Sequence, residues 1–165
     1  MKIILVGMPG SGKSTVGKQL SSRLNLPLID LDTEIERAAG QEIKTIFAEK
    51  GEDYFRALES QTLQRVLSSN DAFILATGGG APCFHNGMEI INQHGISIFL
   101  DVPTDELVAR VASDTSRPLL AAADKEELLL KLNVIRAKRL DCYEKAKVMI
   151  FGSDIDDVVA NLPKT

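Results

Sequence analysis

A chain of 165 residues, 44% apolar and 25% charged, has the size of one core that buries about two-thirds of its unfolded surface, which excludes the disordered and fibrous classes. Its 19 basic and 23 acidic side chains leave a net charge of -4, so a nucleic-acid platform is not expected and any anion must be bound locally. No basic leader opens the chain and no window approaches the ~20 apolar residues of a membrane span, so a cytoplasmic protein without membrane contact is expected.

The run at residues 2–6, β-branched and ending at Gly7, reads as a strand buried on both faces. The pattern then predicts helix over 14–24, strand over 28–31, helix over 33–39 and one long helix over 43–67. Strands follow at 73–76, 96–100 and 148–151, separated by helices at 87–93, 104–112 and 125–145. This alternation predicts an α/β domain, a parallel sheet with helices on both sides. Residues 114–124, with Arg117-Pro118 and Ala121-Ala122-Ala123, break the alternation and read as a mobile excursion. No repeat or composition shift divides the chain, so residues 1–165 are read as one domain. Cys83 and Cys142 belong to no CxxC or Cys/His cluster of metal-ligand spacing and are expected to be reduced thiols.

Directly after the first strand stands Gly7-Met8-Pro9-Gly10-Ser11-Gly12-Lys13-Ser14-Thr15. Gly7, Gly12, Lys13 and Ser14 match G-x-x-x-x-G-K-[ST], with the strand before and helix after that the motif requires. Glycines let successive backbone N–H groups converge on an anion, and the helix adds its unpaired amides and positive dipole end. A nucleotide triphosphate is the expected guest, cradled by Gly10, Ser11, Gly12, Lys13, Ser14 and Thr15. Lys13 should bridge the β- and γ-phosphates and Ser14 should hold magnesium. Switches, motors and kinases share this loop, so the second substrate must be read elsewhere.

The second strand ends in Asp30-Leu31-Asp32, and strand alternation points both carboxylates the same way at the edge where ligands bind. One is placed to meet a magnesium shell and the other to accept a proton from an attacking hydroxyl; the competing reading makes Asp32 the N-cap of the next helix. On the helix at 125–145, Leu128, Leu132, Ile135, Arg139 and Cys142 recur at helical spacing, which puts Arg139 on an apolar stripe. A buried cation needs an anion, either a protein carboxylate or a ligand. Arg56 and Glu59 stand one helical turn apart, so Glu59 can hold a guanidinium whose fork suits a planar carboxylate; a plain surface ion pair is the alternative. Thr77-Gly78-Gly79-Gly80 follows the third strand and permits close backbone approach to a ligand.

Together these pieces resemble the shikimate kinase family, small P-loop kinases of aromatic amino-acid biosynthesis. The resemblance spans nearly the whole chain. It rests on the phosphate loop, on Asp30-Leu31-Asp32-Thr33-Glu34-Ile35-Glu36, and on Ile46-Phe47 followed by Gly51-Glu52 and Phe55-Arg56. It continues through Thr77-Gly78-Gly79-Gly80, Arg117-Pro118-Leu119-Leu120, and Arg139 shortly before Tyr143. It implies a nucleoside monophosphate kinase-like, three-layer P-loop fold with a five-stranded parallel sheet, an acceptor region near 32–60 and a lid near 113–124. The implied reaction is magnesium-dependent transfer of the ATP γ-phosphoryl group to the 3-hydroxyl of shikimate.

By the same resemblance Arg56 and Arg139, with backbone from Gly79, hold the shikimate carboxylate, and Gly78 and Gly80 belong to the same substrate site. Asp32 meets the ring hydroxyls, and Phe47 and Phe55 wall the pocket. Ser14 ligates magnesium with Asp30 near its shell, Arg117 swings over the phosphates, and Arg110 lies close to the adenine. A monomer is expected. Two other readings stay open: a kinase for gluconate or a nucleoside monophosphate, and a nucleotide-binding module without transfer activity.

Overall fold

The computed structural model describes residues 1–112 and 124–164. Five strands, β1 (Lys2–Val6), β2 (Leu28–Asp30), β3 (Phe73–Ala76), β4 (Ile96–Asp101) and β5 (Val148–Phe151), form one all-parallel sheet. Their order is β2-β3-β1-β4-β5, which puts β1, buried from Ile3 to Val6, at the centre. Strand alternation divides its side chains between two cores. Ile3 and Leu5 join Ile74, Ile98, Leu100 and Ile150 under α1 (Lys13–Leu24) and α8 (Ile155–Ala160). Ile4 and Val6 join Phe73, Leu75 and Phe99 on the other face. That face is covered by α2 (Leu31–Ala39), α3 (Ile43–Lys50), α4 (Glu52–Leu67), α5 (Gly87–His94), α6 (Thr104–Val111) and α7 (Lys125–Tyr143). The three-layer α/β architecture expected from the alternation is therefore present.

The chain leaves β1 for β2 and β3 on one side and returns to β4 on the other, so the sheet order reverses at β1. In such sheets ligands bind at the carboxyl ends beside the reversal, here the end of β1 that carries the glycine-rich loop.

Two differences from the expected boundaries bear on the site. The helix expected over 43–67 is two helices, broken at Gly51, whose φ of 84° and ψ of 175° lie where only glycine is at ease. The second strand stops at Asp30, which caps α2 by accepting a hydrogen bond from the Thr33 amide at 3.2 Å. Asp32 thus stands in the first turn of a helix, so the strand-alternation argument for its direction fails, and the capping role belongs to Asp30. A short 3-10 turn at Ala81–Cys83 and the helix α8 were not expected. The excursion at 114–124 falls on residues outside the described set, Asp124 excepted. Among the described residues no helix is long and apolar enough to cross a membrane.

Candidate active site

The loop between β1 and α1 opens into a cleft of about 960 Å³ lined by Gly10, Gly12, Lys13, Ser14, Thr15, Asp30, Asp32, Thr77 and Arg110. Helix α1 starts without any side-chain cap, so its first amides are left for a guest. Ser11 is buried within the loop. Lys13 is buried too, and its Nζ donates to the carbonyls of Gly7 at 2.8 Å and Met8 at 2.9 Å. Arg110 reaches over from α6, donating to the Gly10 carbonyl at 3.1 Å with Ser153 Oγ 3.4 Å away. The Ser14 hydroxyl faces Asp30 Oδ2 at 3.5 Å. A hydroxyl and a carboxylate oxygen are the hard donors that magnesium takes, and that ion usually keeps waters and substrate phosphates as its other ligands. Two protein oxygens here fit that requirement.

Beside this cleft lies a cluster of buried charge. Arg56 and Glu59, one turn apart on α4, are 5% and 2% exposed and pair Nη1 to Oε1 at 2.9 Å. Glu52 Oε1 lies 3.4 Å from both Nε and Nη2 of the same arginine. The pair is therefore no surface decoration. From α7 comes Arg139, 8% exposed, which forms no ion pair among the described residues. The glycine run after β3 is the floor between them. A Cβ on Gly78 would stand 3.1 Å from Asp32 Oδ1 and 3.3 Å from Glu59 Oε2. On Gly79 it would stand 2.9 Å from Arg139 Nη1, and on Gly80 it would overlap the Arg56 guanidinium. Close approach of charged side chains to backbone explains these three glycines better than turn flexibility does.

Electrostatics in this cluster follow burial. Desolvation pushes the Glu59 carboxyl above its ordinary value, opposed by the charge and hydrogen bond of Arg56 and reinforced by Asp32. Its Oε2 is buried and has no hydrogen-bond partner among the described residues. Burial likewise raises the Tyr143 hydroxyl, which stays protonated and donates to the Gly79 carbonyl at 2.6 Å. Phe47 and Phe55 pack ring to ring at 4.7 Å beside Arg56.

The expected residues thus fall into two touching groups. Gly10, Gly12 to Thr15, Asp30 and Arg110 line the phosphate cleft, with Ser11 buried behind it in the loop; Arg56, Arg139, Gly78, Gly79, Gly80, Phe47 and Phe55 gather around the buried charges. Asp32 belongs to both. Arg117 lies outside the described residues. Two contacts escaped the sequence pattern: the Phe84 ring, 4.2 Å from Arg56 Cζ, and the Tyr143 bond to Gly79. Neither has a periodic signal, because each depends on how distant segments meet.

A family model described as shikimate kinase matches residues 9–162. The chain belongs to the shikimate kinase family. Shikimate kinases of Microcystis aeruginosa and Clostridium botulinum are 43% and 38% identical to it over 94% and 99% of the chain, and the matches span 80% and 95% of those proteins. The crystal structure of shikimate kinase from Bacteroides thetaiotaomicron matches with a TM-score of 0.87 at 35% identity, covering 94% of this chain and 89% of that one. Shikimate kinase from Acinetobacter baumannii, solved in complex with shikimate, matches with a TM-score of 0.86 at 35% identity, covering 96% and 88%. Membership in the shikimate kinase family accounts for the two-part site: a cradle for the ATP phosphates and, beside it, a cationic cluster.

Proposed function

We propose that the chain transfers the γ-phosphoryl group of ATP to the 3-hydroxyl of shikimate, giving shikimate 3-phosphate and ADP. The observation that carries this reading is the convergence of Arg56 and Arg139 on Gly79 and Gly80, with Asp32 at the neighbouring Gly78 on the side of the phosphate loop. Two buried guanidinium groups, only one of them paired to a protein carboxylate among the described residues, supply the fork that a ligand carboxylate takes up. Shikimate carries one carboxylate and a set of ring hydroxyls, and the cluster offers a cation pair at one end and acidic oxygens at the other.

Phosphoryl transfer runs through a loose, highly charged transition state, so alignment and positive charge are what the protein must provide. Arg56, Arg139 and the backbone of Gly78 to Gly80 hold the carboxylate, while Phe47 and Phe55 supply an apolar wall. Asp32 accepts a hydrogen bond from the 3-hydroxyl, aims its oxygen at the γ-phosphorus and takes up its proton. The Oε2 of Glu59, beside Gly78 and without a hydrogen-bond partner among the described residues, accepts from a second ring hydroxyl. Lys13 leaves the loop carbonyls for the phosphate oxygens, Arg110 sits at the nucleoside side, and Arg117 adds charge on the family pattern. Ser14 and Asp30 would hold magnesium, which neutralises phosphate charge when bound. The same reading carries a cytoplasmic monomer with an acceptor region near 32–60; the lid expected near 113–124 falls on residues outside the described set, Asp124 excepted.

A coupled assay of ADP release with shikimate, gluconate and nucleoside monophosphates tests the assignment. Stimulation by shikimate alone is the expected result. Stimulation by another acceptor, or by none, replaces the reading with one of the two alternatives.

A further inference from the structure

The Arg56 guanidinium has five N–H donors, and the contacts that hold it leave a defined remainder. Glu59 takes one on Nη1, and Glu52 faces Nε and one on Nη2. Among the described residues, one N–H on each terminal nitrogen is left, two donors that a ligand carboxylate can take. Carboxylate partners constrain the edge of a guanidinium, so its tilt needs a contact on the face. That contact is Phe84, whose ring centroid lies 4.2 Å from Cζ, nearer than the 5.2 Å of Phe55. The ring remains 37% exposed while the guanidinium it covers is 5% exposed, so Phe84 shields Arg56 more than it fills the core.

The backbone holds this ring where it is. Phe84 follows the 3-10 turn at Ala81–Cys83 in extended conformation, and the Gly87 amide donates back to its carbonyl at 3.0 Å. His85 and Asn86, the next two residues, both lie in the left-handed region at φ of 50° and 58°. Consecutive non-glycine residues persist there only where the surroundings hold them. The same short segment that ends the glycine floor therefore carries the face contact for the arginine above it.

We propose that Phe84 is a positioning residue for the acceptor: its ring face sets the tilt at which Arg56 meets the shikimate carboxylate. This rests on the shikimate reading of the site. Phe84 acts through Arg56 and touches no reacting atom, so its effect belongs in acceptor binding rather than in turnover.

Steady-state kinetics of the full chain with both substrates test it. Phe84→Leu, which keeps apolar bulk without a ring face, is expected to raise KM for shikimate about tenfold, with kcat within about twofold and KM for ATP unchanged. Phe84→Tyr, which keeps the face, is expected to behave as the unmodified protein. Pentafluorophenylalanine at position 84 keeps the ring's shape and inverts its charge distribution; it is expected to reproduce the leucine result, and it decides the matter if Phe84→Leu does not fold. An unchanged shikimate KM with the fluorinated ring, or a parallel rise in both KM values, overturns the inference. An unmodified chain that leaves shikimate unphosphorylated overturns the functional reading itself, before any variant is compared.

Discussion

Asp32 is where the two halves of the site meet, lining the phosphate cleft and facing Gly78 next to Glu59. A carboxylate that orients a hydroxyl and takes its proton contributes on the order of 10²–10⁴ in rate. Asp32→Asn is therefore expected to lower kcat by that range while calorimetry finds nucleotide affinity nearly unaltered; near-normal turnover would remove the role. Glu59 makes a different prediction, because burial raises its carboxyl above the ordinary value. The folded chain then holds this proton more tightly than the unfolded chain does. Its stabilising contribution is full below the ordinary carboxylate value and is lost as pH rises through the raised one. Function runs the other way, since only ionised Glu59 holds Arg56 by charge. The value of kcat/KM for shikimate should fall on the acid side, with a midpoint above the ordinary carboxylate range. In Glu59→Gln that acid limb should vanish; a limb that survives the substitution assigns the titration to another group.

At the scale of elements, the break between α3 and α4 rests on Gly51 alone. Nothing lies within 4 Å of a Cβ added there, so Gly51→Ala tests backbone conformation without steric confusion. Its φ of 84° and ψ of 175° predict a loss of about 1–3 kcal/mol in urea unfolding. Gly40, equally open but in the ordinary left-handed well at φ 66° and ψ 19°, should accept Asn within a few tenths of a kcal/mol. Equal losses at the two positions would contradict this account. The same glycine shows why element ends were hard to read. The apolar spacing through Ile46, Phe47 and Phe55 survives the break, and a 3.6-residue period carries no information about one residue's ψ. The inner strands β1, β3 and β4 were legible because a sheet covered on both faces demands nearly continuous apolar runs, and the half-exposed edge strands β2 and β5 as short apolar stretches. Arg139 was legible as a charge on an apolar stripe, and Arg56 with Glu59 as a helical pair. Helix α8 was within reach, since Asp154 caps it by accepting from the Asp156 and Asp157 amides. Phe84 was not, because its place depends on left-handed backbone at His85 and Asn86.

Across the molecule, three neighbouring strands, β2, β3 and β1, present the ends that build the site: Asp30 and Asp32, then Thr77 to Gly80, then the phosphate loop. The arginines come from elsewhere, on α4 and α7, so the nucleotide and acceptor halves stand on different supports. Their binding energies should be separable in thermal unfolding. A ligand at a hundred times its dissociation constant adds about 2.7 kcal/mol, which for a chain of this size raises Tm by about 5–10 °C. Lys13→Ala should lose the rise caused by ATP and keep the rise caused by shikimate. Arg139→Met should do the reverse. It also removes a buried charge that has no ion pair among the described residues, so Tm without ligand should hold or increase. A large drop in unliganded Tm would mean that Arg139 is a structural residue. Loss of both ligand responses in either variant would mean that the two halves form one cooperative unit, and the division drawn along the sheet edge would then be wrong.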